Sequence, residues 1–196
     1  MRELTQVQFN KTALPALRNI FKSDNPYIEP FGLNVEARLV IHEYWYTMRP
    51  LMFKAVITAA KQHNETGFYV SILNSYIDEE AGQPARWFLS LEEAPEYFQL
   101  DKLFIPPAHN VVFSEAGRWG IMGSDEHFGL LGGTADFVNI IRKYIPKIDN
   151  QVNGFLKEWK RNKTHYNSDI SWLPGLLSNV YNSETAEKLL LRYHLK

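Results

Sequence analysis

The hydrophobic positions in residues 110–145 change period and predict three strands followed by a helix. Three apolar runs, 110–114, 118–122 and 127–133, are separated by glycine-bearing turns of the kind that join antiparallel strands. Apolar residues then recur at helical spacing through Ile145. This stretch therefore predicts an antiparallel meander that leads into an amphipathic helix.

The pattern before residue 110 mixes strands with helices. It predicts helices over 14–21 and 50–63 and strands over 67–74 and 86–90. Residues 35–47 fit either a strand or a helix, because apolar side chains align at both spacings. Their β-branched and aromatic side chains favour the strand.

The last third of the chain has helical periodicity. Pro146 ends the preceding helix, and apolar residues then recur at helical spacing from Ile148 to Trp159. The polar run 160–171 predicts a linker, and two further helices are predicted after it.

These elements together predict an α+β fold. We expect a mainly antiparallel meander sheet packed with helices in residues 1–146, and a helical extension in 147–196 that packs on it within one structural domain. The chain has 196 residues, of which 45% are hydrophobic and 14% aromatic, so it has enough apolar surface to bury a core.

Composition also narrows the function classes. The net charge of −1 gives no general attraction to nucleic acid or to an anionic membrane surface. The N-terminus has no apolar signal-peptide core, and no apolar run reaches the roughly 18 residues of a membrane span. We therefore expect a soluble, cytoplasmic protein that binds neither nucleic acid nor membrane. With 0 cysteines, the chain has no disulfide, thiolate metal site or cysteine nucleophile.

Neither a catalytic nor a cofactor motif is evident. Gly132-Gly133-Thr134 precedes a helix but lacks the lysine of a phosphate-binding loop, which favours a tight turn capped by Thr134. The six histidines include no HExxH or His-x-His spacing. We therefore predict no metal, no cofactor and no catalytic residue from local sequence.

Two enzyme-like interpretations stay open at this point. One is an active site assembled from distant segments by His42, Glu43, His109 and His127. The other is a catalytic role for the chemically dense tripeptide Asp125-Glu126-His127, for which a solvated turn is the simpler interpretation.

The candidate binding residues lie in loops 75–84 and 114–127. In the second loop they are Arg118 and the tripeptide Asp125, Glu126 and His127, and in the first loop they are the acidic residues Glu79 and Glu80. Trp119 follows Arg118, and burial in the core is the simpler interpretation of its side chain.

The segment GRWGIMGSDEHFGLLGG and the helix after it resemble immunity proteins of bacterial polymorphic toxin systems, with the SUKH superfamily as the nearest comparison. The resemblance covers about residues 110–145, and the long helical tail departs from the SUKH pattern. It implies a non-enzymatic α+β domain that neutralises a partner protein, a toxin. An enzyme with a histidine–carboxylate site, and a structural or assembly protein that forms a homo-oligomer, are the alternatives.

Overall fold

The computed structural model describes residues 1–42, 44–45, 47–73, 85–103 and 109–196. Within these residues the chain folds into a seven-stranded antiparallel sheet with helices against both faces. The predicted α+β class is therefore confirmed.

The sheet has the strand order β1-β4-β3-β5-β6-β7-β2. Its strands are β1 (Arg2–Glu3), β2 (Ala37–His42), β3 (Gly67–Leu73), β4 (Arg86–Ser90), β5 (His109–Ser114), β6 (Trp119–Gly123) and β7 (Phe128–Gly133).

The helices fall in three groups along the chain. The first group is α1 (Gln6–Gln8), a π-helical turn (Phe9–Ala13) and α2 (Leu14–Ile20). The middle group is α3 (Pro50–Gln62), a 3₁₀ segment (Ala94–Leu103) and α4 (Ala135–Tyr144). The last group is a 3₁₀ turn (Ile148–Asn150), α5 (Gln151–Tyr166), α6 (Leu173–Tyr181) and α7 (Ser183–Tyr193).

Strands β5, β6 and β7 form the meander that the hydrophobic pattern predicts. Asn110 pairs with Gly123 across the first hairpin, and Trp119 pairs with Gly133 across the second. Residues 37–42 also form a strand rather than a helix, since β2 pairs antiparallel with β7 along its whole length. The preference for a strand in this ambiguous segment is confirmed.

Alternating side chains of the central strands enter two separate cores, because successive residues of a strand point to opposite faces of the sheet. One core lies under α2, α5, α6 and α7, and its strand residues include Val40, Val111, Phe113, Met122 and Leu130. The other lies under α3 and α4, and its strand residues include Leu39, Val112, Trp119, Ile121 and Leu131.

The C-terminal helices complete the first core. Val152 and Phe155 of α5 and Leu176 of α6 are buried in the same cluster as Phe128 of the sheet. The linker predicted over 160–171 is wrong in its first half, because α5 continues to Tyr166.

Two helix ends differ from the sequence-based expectation. Helix α5 ends at Tyr166, and Asn167 after it adopts a left-handed backbone conformation with φ 52°. The first helical segment begins at Gln6 rather than near residue 14, and the Thr5 side chain caps it by accepting from the Gln8 amide. None of the described helices is long and apolar enough to cross a membrane.

Candidate functional site

One end of the sheet brings together the segments that the sequence marks as chemically rich. Because neighbouring strands are antiparallel, the same end of the sheet contains the ends of β2 and β6 and the starts of β5 and β7. His42 pairs with Phe128 there, and Asn110 pairs with Gly123. The turn of residues 124–127, which we call the acidic turn, joins β6 to β7 at this end.

Asp125 anchors the acidic turn to the rest of the protein. Its Oδ1 atom accepts a hydrogen bond of 2.5 Å from the Tyr27 hydroxyl and lies 2.8 Å from Nε2 of the buried His109. The contact with His109, followed by that with Tyr27, lowers the pKa of Asp125 against the opposing effect of burial. Burial and the Asp125 carboxylate in turn raise the pKa of Tyr27. The Asp125 carboxylate is therefore ionised and held in place.

Glu126 has the opposite electrostatic environment. Partial burial raises its pKa, and the negative charges of Asp125 and Glu158 raise it further, while His127 lowers it. Its side chain lies at the surface of the acidic turn. Glu126 is thus a carboxylate whose ionised form the fold disfavours, next to one whose ionised form the fold favours.

His127 supports the exposed ring of Trp45. The two rings stack with their centroids 3.8 Å apart and their planes 20° apart. His127 adopts a left-handed conformation with φ 58°, and its carbonyl oxygen accepts from the Tyr44 amide at 2.9 Å. The Trp45 side chain remains 53% exposed. A large aromatic ring is therefore fixed at the surface beside the acidic turn.

The Trp45 ring borders a surface groove of about 460 Å³, which we call the Trp45 groove. It runs between the end of β2 and α5, and its lining residues are His42, Trp45, His127, Gly154, Lys157, Glu158 and Arg161. His42 Nε2 lies 3.0 Å from Glu158 Oε2 across the groove. Gly154 permits this close approach, because a Cβ atom there would lie 2.7 Å from the His42 ring.

A second groove of about 440 Å³ lies on the other side of the acidic turn. We call it the Tyr27 groove, and its lining includes Tyr27, Asp125, Glu126, Trp159, Asn162, Asp169 and Trp172. The Trp159 and Trp172 rings meet edge to face with their centroids 4.8 Å apart. Both grooves thus combine aromatic surface with charged side chains.

One predicted binding residue of loop 114–127, Arg118, does not join the site. Arg118 lies in the β5–β6 turn at the opposite end of the sheet, where its Nη1 donates to the His63 carbonyl at 3.4 Å. Glu79 and Glu80, like Glu43 of the enzyme-like interpretation, lie outside the described residues. Of the six predicted binding residues, the structure brings together Asp125, Glu126 and His127.

Trp119 and the strand-to-helix turn have structural roles, as the sequence predicts. Trp119 is fully buried, stacks on Phe137 at 5.0 Å and donates from Nε1 to Glu65 at 2.9 Å. The Thr134 side chain caps α4 by accepting from the Phe137 amide. The Ala135 amide donates to a carboxylate oxygen of Glu36 at 2.8 Å, so a side chain of the protein already occupies this anion-binding position.

The histidines of the enzyme-like interpretation bind separate carboxylates. Within the described part of the chain, His42 contacts Glu158, whereas His109 contacts Asp125. Among the described residues, no group of three or more histidine, aspartate and glutamate side chains has a geometry that could hold a metal ion.

Trp45 and α5 are the parts of this site that the sequence did not indicate. Strand alternation places Trp45 on the same face as Leu39 and Ile41, but β2 ends at His42 and the Trp45 side chain is 53% exposed. The α5 side chains reach the site only through the packing of α5 on β2.

Searches against known protein families, curated proteins and solved structures give no match to this chain.

Proposed function

We propose that this chain is a non-enzymatic protein-binding domain whose contact surface is centred on Trp45 and the acidic turn. The observation that carries the proposal is the half-exposed Trp45 ring stacked on His127 at the edge of a groove. Tryptophan is among the residues that contribute most to binding energy at protein interfaces.

The surroundings of Trp45 suit an interface. Apolar and aromatic surface at the centre of an interface is usually surrounded by polar side chains that exclude water. Lys157 and Arg161 of α5 are exposed on one side of the Trp45 groove, and Glu126 lies on the acidic turn. Because the His127 ring already holds the Trp45 indole in place, little side-chain conformational entropy would be lost when a partner binds.

The resemblance of residues 110–145 to immunity proteins suggests what kind of partner this surface takes. We propose a toxin, which the domain would neutralise by covering its functional surface. An acidic turn beside two cations also gives this surface charges of both signs, which favours selection of one partner over others.

The first test is to isolate the partner and measure its affinity for variants of the domain. Tagged wild-type protein is purified from its native cells, and the bound partner is identified and produced separately. We expect Trp45→Ala to weaken binding by about thirtyfold or more, which corresponds to about 2 kcal/mol, in isothermal titration calorimetry.

Tyr144→Ala is the matched control, because Tyr144 is an aromatic residue with 42% exposure on α4, outside both grooves. We expect its affinity to remain within about twofold of wild type. Equal affinity of the Trp45→Ala variant and wild type would contradict the proposed surface. The toxin assignment has a separate test: expression of the partner alone should stop growth, and coexpressed wild-type domain should restore it better than the Trp45→Ala variant.

A further inference from the structure

A third cavity lies apart from both grooves, between the N-terminal helices and the sheet. It has a volume of about 200 Å³ and is the most enclosed of the cavities described here. Helices α1 and α2 cover it, and the ends of β3 and β4 form its floor. None of its lining residues belongs to the Trp45 groove or to the Tyr27 groove. We call it the Arg86 cavity.

Arg86 is the unusual residue of this cavity. It is only 9% exposed, yet no carboxylate of the described residues forms an ion pair with its guanidinium group. Its Nη1 donates to Gln6 Oε1, and its guanidinium carbon lies 4.0 Å from the centre of the Phe9 ring. The Nε atom is buried and has no hydrogen-bond partner among the described residues.

The second arginine of the cavity is already neutralised. Arg18 binds Asp24 through two parallel hydrogen bonds of 2.7 Å and 2.9 Å. With two arginines and one aspartate, the lining carries a net charge of +1. A guanidinium group that is removed from water without a counter-ion is unfavourable, and folded proteins normally pair such groups. Burial accordingly lowers the pKa of Arg86.

The remaining wall determines which anion fits. Leu14 and Leu17 of α2 present apolar surface to the cavity, and Ile72 and Leu73 of β3 do the same from the sheet, whereas Asn10 and Ser71 add polar groups to the wall. A carboxylate matches the planar fork of an arginine, and a single negative charge balances the net charge of the lining. An alkyl tail would replace water against the leucines.

We propose that the Arg86 cavity binds a small organic monocarboxylate, with its carboxylate on Arg86 and its short alkyl tail against Leu14 and Leu17. This binding site is independent of the protein-binding surface proposed above, since the two share no residue. Loss of one function would leave the other intact.

The test uses hexanoate as the probe, with acetate, 1-hexanol and inorganic phosphate as comparisons, in calorimetric titrations of the whole chain. We expect saturable binding of hexanoate that is at least about tenfold tighter than that of any comparison ligand, because only hexanoate supplies both the single charge and the tail. Tighter binding of phosphate, or equal binding of hexanol, would overturn the proposed ligand class.

The matched variants are Arg86→Met and Arg142→Met. In Arg86→Met, methionine keeps an unbranched side chain over the Phe9 ring but removes the charge. Arg142→Met is the control, because Arg142 is a surface arginine of α4 that is paired with Asp149. We expect Arg86→Met to weaken hexanoate binding by at least about tenfold and Arg142→Met to leave it unchanged.

Thermal unfolding gives a second, independent measurement. Hexanoate should raise the Tm of wild type but not that of Arg86→Met. The unliganded Arg86→Met variant should melt no lower than unliganded wild type, because it removes an unpaired buried charge. If Arg86→Met does not fold, Arg86→Lys and the cavity-filling Leu14→Phe should each weaken hexanoate binding. Unchanged binding in both would overturn the proposal.

Discussion

At the scale of single residues, the acidic turn contains two neighbouring carboxylates with opposite roles. Asp125 is fixed by Tyr27 and His109, and these contacts lower its pKa. No hydrogen-bond donor of the described residues contacts the Glu126 carboxylate, and burial together with Asp125 raises its pKa. The sequence does not distinguish the two carboxylates, because the contacts that lower the Asp125 pKa come first from His109 and then from Tyr27, which are not its neighbours along the chain.

Asp125→Asn is therefore expected to destabilise the fold at pH 7. The change removes charge-assisted hydrogen bonds from a mostly buried position, at a cost of about 1–3 kcal/mol. Because folding lowers the pKa of Asp125, its contribution is complete above the pKa of the unfolded chain and is lost as the pH falls through the lower folded value. Urea unfolding should therefore give a difference between wild type and variant that is full at pH 7 and shrinks below about pH 4.

Glu126→Gln is the matched control for Asp125→Asn, because its effect on stability should have the opposite sign. Folding raises the pKa of Glu126, so its ionised form opposes folding at pH 7 and the opposition disappears as the pH falls below the unfolded value. We expect Glu126→Gln to be slightly more stable than wild type at pH 7 and equal to it at pH 3. A loss of stability at pH 7 would contradict the electrostatic interpretation of the acidic turn.

At the scale of elements, periodicity predicts the central strands and most of the helices, but not where polar helices end. Residues 160–166 are largely exposed, so their polar composition reflects solvent contact rather than a break in α5. The end of β2 at His42 has no comparable signal, so strand alternation continued beyond His42 would place Trp45 on the same face as Leu39 and Ile41. Tertiary packing decides both boundaries.

The strand glycines have a role that the sequence alone does not reveal. Gly123 of β6 and Gly129 of β7 lie against the buried ring of Tyr44. A Cβ atom at Gly123 would lie 2.3 Å from Tyr44 Cε1, and one at Gly129 would lie 2.9 Å from Cδ2. The two glycines therefore make room for Tyr44, whose hydroxyl donates to Asn110 at 3.0 Å.

Gly123→Ala is expected to destabilise the protein by about 1–3 kcal/mol, because the added methyl group would collide with the buried ring of Tyr44. Chemical denaturation followed by circular dichroism measures the change. Gly175→Ala in α6 is the control, since among the described residues no atom outside its own helix backbone and chain neighbours would lie within 4 Å of the added Cβ. Its helical position predicts a gain of up to about 1 kcal/mol. Equal stability of the two variants would contradict the role of Gly123.

At the scale of the whole molecule, the C-terminal helices cover one face of the sheet and bury its apolar side chains in a shared core. Phe128 of β7 packs on Phe155 of α5 at 5.0 Å and stacks on Trp172 at 5.8 Å. The sequence predicts that residues 147–196 pack on the preceding part, but it does not indicate which face they cover. That choice depends on which strand residues point to the same side, and thus on the register of β2 and β7.

Because α6 and the sheet share this core, a destabilising substitution in α6 should lower the stability of the whole sheet. Leu176 is fully buried, so Leu176→Ala should destabilise the protein by about 2–5 kcal/mol. If the protein unfolds as one cooperative unit, amide hydrogen exchange at Val112 and Ile121, in the centre of the sheet, should report the same loss of free energy. Unchanged protection at these two amides, with loss confined to α5, α6 and α7, would mean that the C-terminal helices unfold independently of the sheet.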